Sequence, residues 1–459
     1  MAAETFPSGF VWGVATSAFQ IEGAHDVDGR GPSIWDTYAA RSGAIEDGSN
    51  ADVACDHYYR YGDDIALMKF LGVGAYRFSI AWPRVFPTGR GTINSAGLDF
   101  YDRLVDGLLD ARIKPWVTLY HWDLPQALQD EGGWTHRSTV DAYVEFADAV
   151  SERLGDRVQH WMTHNEPWCA SVLGYAEGKQ APGRKSWNEA LVASHHLLLS
   201  HGRAVPVIRS NAACAKVGLT LNTSQCEPAS ESEADWIAAR QFDGELNRWF
   251  LDPIYLGRYP EDVIAFHERE GRLPDGMGFV RPGDLDEIQT PIDFLGVNYY
   301  SRAVVRSTRI PESENAPRTI PLPDPAELTD MGWEVYPKGL TEVLVRLSDD
   351  YAPGSLVVTE NGAAYATGPG PDGRVQDTRR CEYLKSHLAA CLAAIDAGVP
   401  LHGYFSWSLL DNFEWAFGLT KRFGIVWVDF ETQQRIVKAS GHMYRRIIRN
   451  NKLSAEQAA

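Results

Sequence analysis

Short apolar runs alternate with longer amphipathic stretches from one end of the chain to the other. Runs rich in β-branched and aromatic residues occupy 10–15, 75–80, 114–120, 158–163, 216–221, 293–298, 356–359 and 401–406, and each is bounded by turn-forming or polar residues. Their composition predicts short buried strands. Between them the period changes. In 98–111 the apolar residues Leu98, Tyr101, Leu104, Val105, Leu108 and Leu109 follow a helical repeat, and in 140–154 Val140, Tyr143, Val144, Ala147, Val150 and Leu154 share one face. Ser138 and Asp141 have the spacing of a capping box ahead of the second of these helices. Residues 188–203 and 379–397 read as helices in the same way. Eight strands alternating with helices predict an α/β chain built as a (β/α)₈ TIM barrel. A doubly wound sheet with a second domain is the alternative.

Three segments, 17–60, 222–290 and 301–338, are too long for plain connections and are rich in Gly, Pro and aromatic residues. Long loops in a compact domain usually carry function. Neither a Ser/Gly linker nor a charge block divides the chain, so residues 1–459 are expected to form one domain, with 452–459 as a flexible tail.

Composition narrows the partners. A net charge of −18 argues against nucleic acid and anionic membrane surfaces, which both call for basic patches. No run approaches the ~18 apolar residues of a membrane span. Fifteen Trp, 19 Tyr and 18 Phe exceed what a core requires and suit a pocket for a small, semi-polar ligand. A homo-oligomer is compatible with this composition. Six cysteines, with no C-x-x-C among them, read as reduced thiols of a cytoplasmic protein. Residues 1–8, without a basic or an apolar region, agree with that.

The candidate chemistry lies where the strands end. Tyr120-His121-Trp122-Asp123, Thr163-His164-Asn165-Glu166-Pro167-Trp168, Asn298-Tyr299-Tyr300, Thr359-Glu360-Asn361-Gly362 and Ser406-Trp407-Ser408 each follow a predicted strand, and Arg77 lies within another. Polar groups converging on one barrel face would each lose hydration without a partner unless they form a site. Glu166 and Glu360 stand out as a carboxylate pair, which is what glycoside hydrolysis uses: one acid protonates the leaving oxygen and the other attacks or activates water. A structural ion-pair network is the competing reading of two such glutamates.

The two glutamate motifs, Thr163-His164-Asn165-Glu166-Pro167 and Val358-Thr359-Glu360-Asn361-Gly362, resemble the catalytic signatures of the family 1 glycoside hydrolases, the β-glucosidase family. The stretch from Phe10-Val11-Trp12-Gly13 to Gln20-Ile21-Glu22-Gly23 is similar to that family's N-terminal signature. The likeness continues through Tyr76-Arg77-Phe78-Ser79, His121-Trp122-Asp123-Leu124-Pro125 and Ser406-Trp407-Ser408-Leu409-Leu410-Asp411-Asn412-Phe413-Glu414-Trp415.

The resemblance implies a retaining β-glucosidase that needs neither metal nor cofactor and acts on a β-glucoside or cello-oligosaccharide. Glu360 would be the nucleophile and Glu166 the acid/base, with Arg77, Asn298 and Tyr300 supporting the nucleophile. The charge on Glu360 would hold a proton on Glu166. Gln20, His121, Trp122, Asn165, Trp407, Glu414 and Trp415 would bind the glycone, Trp407 as its floor. Trp168, Cys169, Leu173, Asn222 and Trp333 are the candidates for the aglycone side. Glu414 favours an unphosphorylated sugar, glucose first, with galactosides and fucosides as side activities. A 6-phospho-β-glucosidase and a non-catalytic glycan-binding relative are the alternatives. His164 and Gln180 depart from the residues common in the family.

Other signals weigh less. Gly368-Pro369-Gly370-Pro371-Asp372-Gly373 matches a nucleotide-loop spacing, but its prolines predict a plain turn. His195, His196 and His201 share one helical stretch and read as packing residues rather than metal ligands. Trp12, Trp82 and Trp161 read as core. His57 and His136 are unassigned.

Overall fold

The computed structural model describes residues 4–307 and 327–453. Eight parallel strands close on themselves: β1 (Val11–Ala15), β2 (Ala75–Ser79), β3 (Lys114–Tyr120), β4 (His160–Asn165), β5 (Lys216–Asn222), β6 (Phe294–Asn298), β7 (Leu356–Asn361) and β8 (Leu401–Trp407). Each pairs with its neighbour in sequence, and β1 seals the barrel against β8 from Val11↔Gly403 to Ala15↔Trp407. That closure excludes the doubly wound alternative.

The helices α1 (His57–Leu71), α2 (Ser95–Asp110), α3 (Ser138–Leu154), α4 (Trp187–Asn211), α5 (Pro337–Tyr351), α6 (Thr378–Asp396) and α7 (Ala439–Asn450) follow strands. Shorter helices, Glu233–Asp243 and Trp249–Leu256 among them, carry the chain from β5 to β6. The expected capping box does not form. Ser138 lies inside the first turn of α3, and its hydroxyl pairs with His136 Nδ1 at 2.8 Å. The preceding turn supplies the acceptors instead, with Thr139 N donating to His136 O and Val140 N to Arg137 O.

Two cores flank the strands. Outside, aliphatic and aromatic residues fill the layer between sheet and helices, including Trp82 and Trp161. Inside, Ala15, Ala75, Trp116, Met162, Phe294, Val357, Phe405 and Trp407 plug the lumen, with the Trp116 ring 5.4 Å from Phe294 and 5.0 Å from Phe405. The barrel is thus solid below and open only at the strands' C-terminal ends. Trp12, Trp82 and Trp161 are buried, and each indole N–H donates to a protein oxygen.

The strands that deliver the glutamates run two residues beyond the predicted stretches, to Asn165, just before Glu166, and to Asn361. Ladder hydrogen bonds depend on the backbone, so polar side chains can end a strand when they bond one another. Register shifts fall at these ends, between Met162 and Asn165 on β4 and between Val297 and Asn298 on β6. Such irregularities re-aim side chains next to sites. Gly362 lets β7 and β8 touch: a Cβ there would lie 1.8 Å from Trp407 O.

Of the segment 301–338, residues 308–326 lie outside the described residues. At the chain's end Lys452 bridges Thr5 and Leu453 N donates to Glu4 O at 2.8 Å, so these two residues are tied to the N-terminal segment; 454–459 lie outside the described residues. Gly368–Gly373 is a turn-rich connection with no helix opening directly from it.

Candidate active site

The residues at the C-terminal mouth surround a cavity of about 480 Å³, within the roughly 300–1,000 Å³ usual for small-molecule sites. Glu166 and Glu360 both line it, and their surroundings differ. Glu360 Oε1 accepts from Arg77 Nη1 at 2.5 Å, and its Oε2 accepts from Tyr300 Oη at 2.7 Å. A cation and a phenol therefore face one carboxylate. Among the described residues, Glu166 has no cation in hydrogen-bond contact. Its Oε1 accepts from Asn298 Nδ2 at 2.6 Å and its Oε2 from Cys169 Sγ at 3.1 Å. Burial first, and then the Glu360 charge, push Glu166 up to about 7. Two carboxyls at one mouth are thus set apart, one held by charge and one poised to carry a proton.

Asn165 joins the two halves. Its Oδ1 accepts from Arg77 Nη2 at 2.6 Å and from Asn298 Nδ2 at 3.1 Å, so its Nδ2 faces His121 Nε2 at 3.1 Å. His121 accepts there and keeps its proton on Nδ1, which has no partner among the described residues. Burial, helped by Arg77, holds this imidazole well below its ordinary pKa and therefore neutral. Trp122 Nε1 donates to Asn165 O at 2.9 Å.

The expectation that Asn298 supports Glu360 is corrected. Asn298 meets Glu360 only as its register partner between β6 and β7. Thr359 Oγ1 donates to Asn298 Oδ1 at 2.8 Å, which turns the amide nitrogen toward Glu166 and Asn165.

An aromatic and carboxylic wall completes the inner cavity. Trp407 lies with its ring 5.8 Å from His121 in a stacked arrangement, and Trp415 packs against Trp122 at 4.6 Å and Phe19 at 6.0 Å. Trp122, Glu166 and Trp415 have φ of 80°, 47° and 48°, a left-handed backbone costly for side chains of this size. Such strain is characteristic of functional loops held by surrounding packing. Glu414 lines the same wall, and burial followed by the charges of Glu360 and Glu166 pushes it up to about 8. Gln20, Asn165 and Arg77 are not lining residues; each is buried against one or more that are. Gln20 Nε2 reaches Glu414 Oε2 at 3.3 Å and Phe413 O at 2.8 Å, while Ser17 Oγ donates to Gln20 Oε1 at 2.6 Å.

All of Trp168, Cys169, Leu173, Asn222 and Trp333 line the outer part. Cys169 does more than line it, through its bond to Glu166. Gln180 is on the wall too. His164 points away: its ring stacks on Tyr143 at 4.5 Å and its Nε2 pairs with Ser200 Oγ at 2.8 Å, outside the barrel. Strand alternation explains this, since Asn165 beside it takes the inward position. His195 pairs with Asp284 and Tyr259, His196 with Trp134 O and His201 with Thr163, so the three act in packing. His57 pairs with Asp64.

Sequence reasoning missed Phe417, Phe242, Leu246 and the Arg302 cluster on the outer wall. Arg302 donates to Glu227 Oε2 at 2.5 Å and Glu334 Oε2 at 2.6 Å. Phe417, two residues beyond Trp415, carried a readable signal; Phe242, Leu246 and Arg302 lie within the long segments 222–290 and 301–338, whose composition does not single them out.

Sequence comparison places this arrangement. The family model for glycosyl hydrolase family 1 matches residues 2–453. The chain belongs to glycosyl hydrolase family 1. Within it, beta-glucosidase A of Acetivibrio thermocellus is 47% identical over 454 residues, covering 98% of this chain and all of that protein. A bifunctional beta-D-glucosidase/beta-D-fucosidase of Bifidobacterium breve is 46% identical, covering 96% of this chain and 98% of its own. The solved family 1 b-glucosidase of Thermotoga maritima superposes with a TM-score of 0.93 at 45% identity, covering 98% of this chain and all of the other. Family 1 membership and the closed barrel agree with the resemblance read from the motifs.

Proposed function

We propose that this family 1 hydrolase is a retaining β-glucosidase that removes terminal, non-reducing β-D-glucosyl residues from β-glucosides or cello-oligosaccharides. The observation that carries the reading is the contrast between Glu360, held by Arg77 and Tyr300, and Glu166, buried with no cation in contact among the described residues and pushed up to about 7. Glu360 attacks the anomeric carbon while Glu166 gives its proton to the departing oxygen, leaving a glycosyl ester on Glu360. The ester carries no charge, so the Coulombic part of the pressure on Glu166 disappears. Glu166 then takes a proton from water as its oxygen attacks the same carbon and frees Glu360. His121, on the cavity wall with Asn165 bonded behind it, is placed to bond the sugar's hydroxyls, and Trp407 and Trp415 to cover its apolar face.

Glucosidase names among the relatives support glucose as the glycone, and the Bifidobacterium enzyme's name supports a side activity on fucosides. A galactoside side activity follows from Glu414, since one carboxyl meeting the 4- and 6-hydroxyls separates epimers only in part. A 6-phosphorylated sugar fits poorly. Among the described lining residues Arg302 is the one Lys or Arg, and Glu227 and Glu334 already engage it. The whole chain acts as one catalytic domain. We assign it to the cytoplasm on its six cysteines, none of which forms a disulfide; among the described residues no helix is long and apolar enough to cross a membrane.

Glu360→Ala assayed on p-nitrophenyl β-D-glucoside, with and without azide, tests the mechanism. The variant should be nearly inactive, and azide should restore turnover as the α-glucosyl azide. Substantial residual activity, or a β-azide product, would overturn the assignment of Glu360.

A further inference from the structure

Glu166 follows the last residue of β4 with a left-handed backbone and leads, through Pro167 and Trp168, into a wide π-helical turn, Cys169–Ala176. Turns of this kind are concentrated at functional sites. Here the turn brings residue 169 back over residue 166, with Cys169 Sγ 3.1 Å from Glu166 Oε2, while Ser171 Oγ secures the Pro167 carbonyl at 2.7 Å. Cys169 also lines the cavity, so the sulfur stands on the side from which a leaving oxygen would approach.

The partners of Glu166 are not equivalent. Asn298 Nδ2 can only donate, and its carbonyl oxygen is occupied by Thr359. Oε1 therefore always accepts, and any proton carried by Glu166 belongs on Oε2, opposite the sulfur. A thiol both donates and accepts. We propose that Cys169 is a positioning residue for the acid/base, a two-way partner that keeps Glu166 Oε2 aimed into the cavity in both of its protonation states. With Glu166 neutral, Oε2–H is turned to Sγ or to the leaving oxygen. As the glycosidic C–O bond breaks, its electron pair stays on the aglycone oxygen, which takes the Oε2 proton. The thiol then rotates and donates S–H to the new carboxylate. When water attacks the ester, its proton returns to Oε2 and the thiol turns back. Cys169 keeps its own proton throughout.

The inference rests on Glu166 being the acid/base. Its test is the pH profile of kcat/KM on an unactivated β-glucoside for wild type, Cys169→Val and Cys169→Ser, with melting temperatures measured alongside. Loss of the donor makes the Glu166 anion harder to form. The basic limb of Cys169→Val should therefore move up by about half a pH unit, a weak hydrogen bond's worth. Cys169→Ser, which still donates and accepts, should bring the limb back to the wild-type position or below. A Cys169→Val limb that coincides with wild type, or a Ser variant that follows Val, would overturn the proposal. If Cys169→Val does not fold, Cys169→Ala carries the same comparison. Glu166→Gln separates the two levels: if it keeps the basic limb, the acid/base reading itself fails, whatever Cys169 does.

Discussion

Arg77 donates to Glu360 from one arm of its guanidinium and to Asn165 from the other, at 2.5 and 2.6 Å, with all three side chains buried. Breaking a buried pair by removing one partner costs about 3–5 kcal/mol, because the remaining charge stays unpaired. Arg77→Met should lower kcat/KM by roughly 10²-fold or more and lower the melting temperature at neutral pH. Arg77→Lys should rescue little, since a single ammonium cannot reproduce the fork. Steady-state kinetics and thermal denaturation check both statements.

Glu414 gives a stability prediction with a definite sign. Its carboxyl rises from an ordinary 4.5 to about 8 in the folded chain. The folded state therefore holds this proton more tightly than the unfolded state, and stability is lost as pH climbs from 4.5 toward 8. Glu414→Gln removes that loss. Its melting temperature should match wild type below pH 4.5 and exceed it by a growing margin up to about pH 8, while activity falls. A margin that shrinks with rising pH would reverse the assigned sign.

Asn298 should behave as a partner of the acid rather than of the nucleophile. Asn298→Ala removes the 2.6 Å bond to Glu166 and should move the basic limb of kcat/KM upward. Substrates whose leaving group needs no proton, such as dinitrophenyl glucosides, should lose less activity than alkyl glucosides. Equal losses on both would place Asn298 on the Glu360 side after all.

Substrate charge is the last test. A 6-phosphate would meet the acidic wall of Glu166, Glu360 and Glu414 with no unengaged Lys or Arg among the described lining residues. At an effective dielectric near 20, one like-charge contact at about 4 Å costs about 4 kcal/mol, or roughly 10³-fold. Glu414 holds its proton through neutral pH, so the discrimination should steepen as pH rises past 8. Comparing p-nitrophenyl glucoside with its 6-phosphate across pH measures it.

Much of the site was readable because its residues sit in motifs fixed to strand ends. Once 356–359 reads as a buried strand, Glu360 must emerge at the mouth, and the same holds for Glu166 after β4. The roles of neighbours were less readable. Asn298 was assigned to the wrong carboxylate because adjacency in register does not say which way an amide turns; a hydroxyl on Thr359 decides that. Cys169 lines the cavity as expected, but its bond to Glu166 was not readable because a π-helical turn is invisible in composition. The capping-box spacing of Ser138 and Asp141 failed for a related reason, since a preceding turn had already satisfied the helix's first donors.

The sequence by itself determined the alternation of strands and helices, the eightfold count, the family and the two carboxylates, all of which depend on local period or on contiguous motifs. Only the tertiary structure decided which groups surround each of those carboxylates. They are a guanidinium contributed by β2, an amide by β6 and a thiol by the turn after β4, up to 283 positions from the carboxylate they meet. Burial and Coulombic coupling depend on distance in space, and separation along the chain carries no record of it.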